Sequence, residues 1–345
     1  MKIRIAIDAM GGDYAPFEIV KGAIMAAREY EEEIAVFLIG DETAINENLS
    51  LEKSKFPNIE VIHTSEKIEM HESPTRALKS KPKSSISVGA ILQKSGEIDA
   101  FVSVGNTGAL YASSLMTLGR IKGVRRPTIG TIMPAEKKET AMFDIGANPN
   151  CRPLDLLQFA IMGSIYVEHI FGWKDPKVGL LNIGEEQSKG NELSLESYEL
   201  FKNNLPNFYG NVEGGDILKG KVDVIVCDGF VGNIVLKFGE SFYQLLKLRV
   251  EQNLKNRPFA RLGALMMMPA LKGLRKDIDY QEYGGVPLLG ANGVSIIGHG
   301  HSSRIAIKNA VRVARKTVKE KINEHIAQSI EKSNITQAKI KTEKV

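Results

Sequence analysis

Cysteine is nearly missing from this chain. Cys151 and Cys227 are the only two in 345 residues, so there is no disulfide framework and no cysteine-based metal spacing, and a cytoplasmic setting is the expectation. Long apolar runs are missing as well. The Met-rich stretch 257–276 holds an uncharged run, Leu262–Leu271, of 10 residues, against the ~20 that a bilayer-spanning helix needs. The N-terminus is no signal peptide, because Asp8 ends its apolar run within a few residues and the pattern alternates like a first strand.

Several catalytic signatures are lacking too. No G-x-G-x-x-G follows a strand, so a dinucleotide fingerprint is absent. The stretch Gly215–Val222 nearly spells a P-loop, but Val222 stands where Ser or Thr must hold Mg²⁺. Six histidines, including His299 and His301, show no metal-ligand spacing. No G-x-S-x-G elbow occurs. Readings as a serine hydrolase, a nucleotide triphosphatase or a zinc enzyme are set aside, and nothing points to a nucleic-acid partner.

What is present is an ordinary globular composition, 43% apolar and 25% charged, in a chain long enough for two domains or one large α/β unit. Strand and helix signals alternate. Val/Ile-rich strands are expected at 2–7, 35–39, 59–63, 100–104, 128–133, 141–145, 177–183, 208–212, 223–227 and 294–298. Helical patterns such as 17–31, 85–95, 155–171 and 194–203 separate many of them. The alternation predicts an α/β fold with a mainly parallel sheet covered on both faces, whose ligand crevice lies beyond the carboxyl ends of the strands.

The strand ends carry the chemistry. After Val102, the residues Ser103, Gly105, Asn106, Thr107 and Gly108 form a small polar turn leading into an apolar helix. A strand, a glycine turn and a helix start let backbone N–H groups converge on an anion, although the same residues also suit an ordinary Asn-capped βα turn. Three other strand ends join a carboxylate to glycines: Asp8 with Gly11 and Gly12, Asp144 with Gly146 and Asn148, and Asp228 with Gly229, Gly232 and Asn233. Together they predict one shared polar crevice. Lys237 and His299 add a cation and an imidazole, and no activated Ser or Cys nucleophile is evident. That inventory suits a reaction in which the bound anion is itself the nucleophile.

Charge and apolarity are unevenly spread. From Arg304 onward 11 Lys/Arg stand against 4 Asp/Glu, which leaves the rest of the chain slightly acidic. The 257–276 segment reads as an interfacial anchor, a subunit contact or an internal helix pair. Ser302 and Ser303 can cap a helix with the stripe Ile307, Val311, Ala314, Val318 and Ile322, and disorder is expected after about Ser329.

The motifs resemble those of the bacterial phosphate acyltransferases of phospholipid synthesis. The likeness runs through Ile5–Asp13, Ser103–Leu110, Gly119–Gly123, Asp144–Asn148, Gly179–Gly184 and Lys189–Leu193, then Gly210–Glu213, Asp228–Asn233, Tyr283–Gly285 and His299–Gly300, in register over residues 1–325. It departs at His71–Pro74, where an acidic turn is usual, and it ends before the C-terminal tail. The resemblance implies an α/β/α fold similar to isopropylmalate dehydrogenase and phosphotransacetylase, with two domains around a cleft: 1–120 plus 285–330, and 121–284, followed by a disordered tail 331–345. It implies a homodimer, no cofactor and no metal. Acyl-[acyl carrier protein] and inorganic phosphate would be the substrates, and a membrane glycerol-phosphate acyltransferase would take the acyl phosphate, with peripheral membrane contact. A short-chain acyl-CoA phosphotransferase is the nearest alternative; a decarboxylating dehydrogenase or a non-catalytic membrane scaffold are further ones.

On this reading Asn106, Lys237, His299 and Asp228 are the catalytic candidates. Ser103, Gly105, Thr107, Gly108, Asp8, Gly11, Gly12, Asp144, Asn148, Asn233 and Ser302 are the substrate-binding ones. His299 serves either the oxyanion and leaving thiolate or the cap of the next helix. The cation clusters Arg76, Lys79, Lys81, Lys83 and Arg120, Lys122, Arg125, Arg126 are candidate docking sites for an acidic carrier.

Overall fold

The computed structural model describes residues 2–52, 56–255, 257–270, 273 and 284–333. The first strands are β1 (Ile3–Asp8), β2 (Ile34–Gly40), β3 (Ile59–His63) and β4 (Ala100–Ser103), with helices α1 (Phe17–Glu29), α2 (Glu42–Ser50), α3 (Pro74–Ser80) and α4 (Ser85–Lys94) between them. Next come α5 (Thr107–Thr117), β5 (Thr128–Met133), β6 (Thr140–Phe143), α6 (Pro153–Phe171), β7 (Val178–Leu181) and α7 (Glu192–Asn204). Then follow β8 (Phe208–Val212), α8 (Gly214–Lys219), β9 (Val224–Val226), α9 (Gly229–Lys255) and α10 (Pro258–Met266). The C-terminal part supplies β10 (Val286–Leu289), β11 (Val294–Ile297), α11 (Arg304–Lys319) and α12 (Ile322–Lys332).

The eleven strands of the described residues join in one sheet, in the order β3-β2-β1-β4-β11-β10-β5-β6-β9-β7-β8. Each of the ten anticipated strands forms, within a residue or two of its expected limits. β10 is the addition: Pro287 and the Gly290 turn disguise it, yet Leu288 and Leu289 are buried and it pairs antiparallel with both β11 and β5. Pairing of β5 with β6 is antiparallel as well, and the other seven pairs are parallel. These central reversals have a consequence that strand propensity does not reveal. The outer parallel blocks, β3-β2-β1-β4-β11 and β6-β9-β7-β8, run in opposite directions. Their carboxyl ends leave opposite edges of the sheet, so the four polar strand ends do not share a single edge.

Alternate residues of the strands fill cores on the two faces. Ile5, Ile7, Val102 and Val104 meet α1 and α11, while Ala6 and Phe101 meet α4 and α5 on the opposite face. In the other block Ala141, Phe143, Val224 and Val226 pack on α6, and Met142 and Ile225 face away from it. α6 is long and apolar enough to cross a membrane, but 72% of that stretch is buried inside the protein, as a core helix is.

The C-terminal segment divides between the cores. β11 and α11 join the first, whereas α12 lays Ile322, Ile326 and Ile330 on the α6 core, outside the grouping 285–330 expected for the first domain. That burial also keeps the chain helical to Lys332, beyond the point where order was expected to end. Residues 334–345, the rest of the expected tail, lie outside the described residues.

The Met-rich stretch is no internal helix pair. Phe259, Met266, Met267 and Met268 are exposed, as are Phe238, Phe242, Leu245 and Leu246 on α9. Residues 271, 272 and 274–276 of that stretch lie outside the described residues.

Candidate active site

Three loops meet where β1, β4 and β11 end. Asp8 is buried and ties the first two together: Ser103 Oγ donates to its Oδ2 at 2.7 Å, and the Met10 N–H donates to Oδ1 at 3.1 Å. Burial pushes the Asp8 carboxyl above its ordinary range, opposed by hydrogen bonds from Ser85, Ser103 and the Met10 and Gly11 backbone. Ser103 Oγ also accepts from the Gly105 N–H at 3.1 Å. Gly11 is required by close approach: a Cβ there would stand 2.4 Å from Asp8 Oδ2 and 2.8 Å from the Gly105 nitrogen. The third loop closes the group, with the Asp13 N–H donating to the Gly300 carbonyl and the Gly298 N–H to the Ser103 carbonyl.

This framework presents the start of α5. Asn106 is its N-cap: Oδ1 accepts from the Ala109 N–H at 3.0 Å. The Asn106 amide also donates to the carbonyls of Glu69, Met70 and Glu72, at 3.2, 3.1 and 2.9 Å. Asn106 was expected as a catalytic donor, but its side chain is fully occupied in fixing the helix start and the 69–72 loop. The N–H groups of Thr107 and Gly108 have no acceptor among the described residues. Two unpaired donors at the positive end of an 11-residue helix are the groups that a bound anion requires. Thr107 is exposed there, and Pro74 at the head of α3 packs over Gly108.

Asp144, Asn148, Asp228 and Asn233 gather elsewhere, beyond β6 and β9. Asp144 is buried, and burial raises its carboxyl despite hydrogen bonds from the Ala147, Gly146 and Asn148 backbone and the Asn148 side chain. Asn148 donates to Asp144 Oδ2 and to the Pro127 carbonyl, so its amide too is committed. Asp228 caps α9 by accepting from the Phe230 and Val231 N–H groups at 2.9 and 3.0 Å. With the Gly229 N–H on the Asn148 carbonyl and the Gly232 N–H on the Asp228 carbonyl, the start of α9 is closed to an anion. Gly232 packs so tightly here that a Cβ would stand 1.8 Å from the Asp144 carbonyl oxygen. Asp144, Asn148 and Asp228 thus spend their side-chain hydrogen bonds on holding this turn and the start of α9. Asn233 is exposed beside Gly146.

Two helices connect these groups. On α5, Tyr111 lies one turn beyond Thr107, and its hydroxyl donates to Asn148 Oδ1 at 3.4 Å. Burial is the largest cause that pushes the Tyr111 hydroxyl up to about 12, which keeps it a neutral donor. α9 runs from the Asp228 cap toward the third loop, where Lys237 pairs with Glu240 at 2.8 Å and Glu240 stands 3.9 Å from His299 Nε2. His299 Nδ1 accepts from the His301 N–H at 3.2 Å, which assigns the neutral-ring proton to Nε2. Burial lowers the His299 pKa, with Glu240 acting in the opposite direction. Ser302 is buried, with its hydroxyl on the His299 carbonyl at 2.5 Å, so it braces the loop. His299 therefore belongs to the loop before α11 and is not that helix's cap, which is Ser303.

Both thiols are poor nucleophiles. Burial pushes Cys151 up to about 12 and raises Cys227 as well. Among the described residues no group of three or more His, Cys, Asp or Glu is placed to hold a metal ion. Tyr111 and Glu240 had escaped the reading of the sequence. The spacing Thr107–Tyr111, four residues on one helix face, was the available signal for the first; Glu240 had none.

Comparisons with known proteins give the family. Residues 3–325 match the family described as fatty acid synthesis protein. A phosphate acyltransferase of Heliobacterium modesticaldum is 52% identical, over 95% of this chain and 99% of that protein. One from Pelotomaculum thermopropionicum is 48% identical, over 95% of each. A phosphotransacetylase structure from Streptococcus pyogenes superposes with a TM-score of 0.62 at 16% identity, over 92% of this chain and 94% of that one, and shares the fold. With that length of match and that level of identity, the chain belongs to the phosphate acyltransferase family and is an acyltransferase enzyme.

Proposed function

We propose that the enzyme takes its acyl group from an acyl-[acyl carrier protein] and transfers it directly to inorganic phosphate. The observation that carries this reading is the start of α5, where the Thr107 and Gly108 N–H groups have no acceptor among the described residues. Phosphate held there attacks the thioester carbonyl. The new C–O bond forms, the C–S bond breaks, and the departing pantetheine thiolate takes the proton that the attacking hydrogen phosphate gives up. His299 Nε2–H is the group that stabilises the carbonyl oxyanion or that thiolate, and Thr107 orients the phosphate. The raised thiols argue against a cysteinyl acyl-enzyme.

The carrier docks on α3. Arg76 and Lys79 are exposed there beside the crevice, and Lys81 is held by Glu72 at 2.6 Å. The other cation cluster is less free, because Arg125 and Arg126 lean on buried Asp155, at 2.8 and 3.7 Å. The exposed apolar side chains of α9 and α10 support a homodimer contact and peripheral contact with a membrane. The enzyme works in the cytoplasm, without a cofactor, on a crevice between two domains, and the acyl phosphate passes to a membrane glycerol-phosphate acyltransferase.

The test is mass-spectrometric detection of acyl phosphate from purified enzyme and phosphate, with long-chain acyl carrier and short-chain acyl-CoA donors side by side. Preference for the carrier, weakened by the charge reversals Arg76→Glu and Lys79→Glu, supports the reading. Preference for acyl-CoA refutes the donor, and an acylated Cys151 or Cys227 refutes direct attack.

A further inference from the structure

The Glu240 carboxylate lies between two candidate site residues, Lys237 and His299. Its Oε2 receives the Lys237 ammonium at 2.8 Å and its Oε1 stands 3.9 Å from His299 Nε2. Both Lys237 and Glu240 come from α9, beyond its second turn, so one helix presents a cation and its counter-ion, four and seven residues after Asn233. The His299 ring cannot turn away, because Nδ1 is engaged by the His301 N–H and the loop is braced by Ser302.

We infer that Glu240 is a positioning residue of the reaction: its carboxylate is shared between Lys237 and His299 and sets how much positive charge the crevice offers. In the arrangement seen, Glu240 neutralises Lys237, so the ammonium is not an open phosphate ligand. Movement of the carboxylate by about 1 Å toward Nε2 brings it into hydrogen-bond range, strengthens a protonated His299 and releases Lys237 to an incoming anion. Apo geometry of this kind commonly tightens only when substrate is present. The other charged and titratable groups facing His299 are Lys237 on α9, His301 on its own loop and Asp13 on the loop after β1. Asp13 is itself engaged by His301 Nδ1 at 3.0 Å, and Glu240 is the nearest carboxylate in an ion pair with the ring.

The inference rests on His299 acting in the acyl transfer, and the test separates the two. Full-length Glu240→Gln, Glu240→Asp and His299→Ala enzymes are compared by imidazole ¹H–¹⁵N spectra across a pH titration and by kinetics with inorganic phosphate as the varied substrate. Glu240 is partly exposed, so Glu240→Gln folds. Removing its charge lowers the His299 midpoint by about one pH unit. It also lowers KM for phosphate about two- to fivefold, the scale of one solvent-screened charge contact, while kcat falls by about tenfold or more. Glu240→Asp recovers part of the midpoint. A merely structural Glu240 would depress the melting temperature without moving the midpoint. A midpoint within about 0.2 pH units of the parent in folded Glu240→Gln overturns the pairing. A shifted midpoint together with full turnover in His299→Ala overturns the role of His299, and the positioning role with it.

Discussion

Thr107→Pro removes a single backbone donor from the candidate phosphate site. Thr107 is the first residue of α5, the helical position where proline is best tolerated because its N–H has no intrahelical partner. Asn106 before it is extended, with φ −62° and ψ 104°, as a residue preceding proline must be. The side chain is exposed, so the ring meets solvent. The helix and its Asn106 cap therefore survive, and the melting temperature stays near that of the parent. A hydrogen bond to a charged group contributes ~1.5–3 kcal/mol, and tenfold in a rate or binding constant is ~1.4 kcal/mol. Losing the Thr107 N–H thus lowers kcat/KM for phosphate by about 10- to 150-fold. Thr107→Ala keeps the N–H and loses only the hydroxyl, so it separates backbone from side chain. The assay is acyl phosphate formation at varied phosphate, with circular dichroism as the control for folding. A folded Thr107→Pro enzyme within threefold of Thr107→Ala would refute the placement of the anion at this helix start.

Two other predictions concern what holds the site. Asn106→Ala loses a helix cap, ~1 kcal/mol, and bonds to three carbonyls of the 69–72 loop. A loss of about 2–3 kcal/mol in urea unfolding is expected, and a change under 0.5 kcal/mol contradicts the clamp. Glu18→Gln breaks the tie between α1 and α11, where the Arg304 N–H and Nε donate to Glu18 Oε2 at 2.7 and 3.0 Å. The Arg304 hydrogen bond holds the Glu18 carboxyl below its ordinary value of 4.5. A lowered acid stabilises the fold above its unfolded pKa and ceases to as pH falls through the folded value. The parent therefore exceeds Glu18→Gln by about 1.5–3 kcal/mol at neutral pH, and the gap closes in acid below 4.5. Thermal melts over pH 2–7 check this, and a gap that persists undiminished at the acid end counts against the pairing.

Local chemistry made much of the fold legible. Val- and Ile-rich runs of strand length mark ten of the strands because a strand buried on both faces must be apolar at consecutive positions, as in Ile5, Ala6 and Ile7. β10 was hidden because Pro287 and Gly290 resemble a turn, and only its neighbours β5 and β11 hold it extended. The Ser103–Gly108 turn was legible as a strand end, an Asn cap and a helix start since its residues are contiguous. What its Asn106 does was not, because the amide's acceptors lie on the 69–72 loop.

The sequence by itself determined the α/β class, the glycine-carboxylate strand ends and the family, all of which depend on residues close together along the chain. Only the tertiary structure decided which polar groups are spent within the fold and which are not. Strand direction is a property of pairing, so the three reversals, β11 to β10, β10 to β5 and β5 to β6, moved Asp144 and Asp228 to the opposite edge from Asp8 and Ser103. Hydrogen-bond saturation then sorted the rest. Asp8, Asn106, Asn148, Asp228 and Ser302 spend their polar atoms on the framework, and the N–H groups of Thr107 and Gly108 have no acceptor among the described residues.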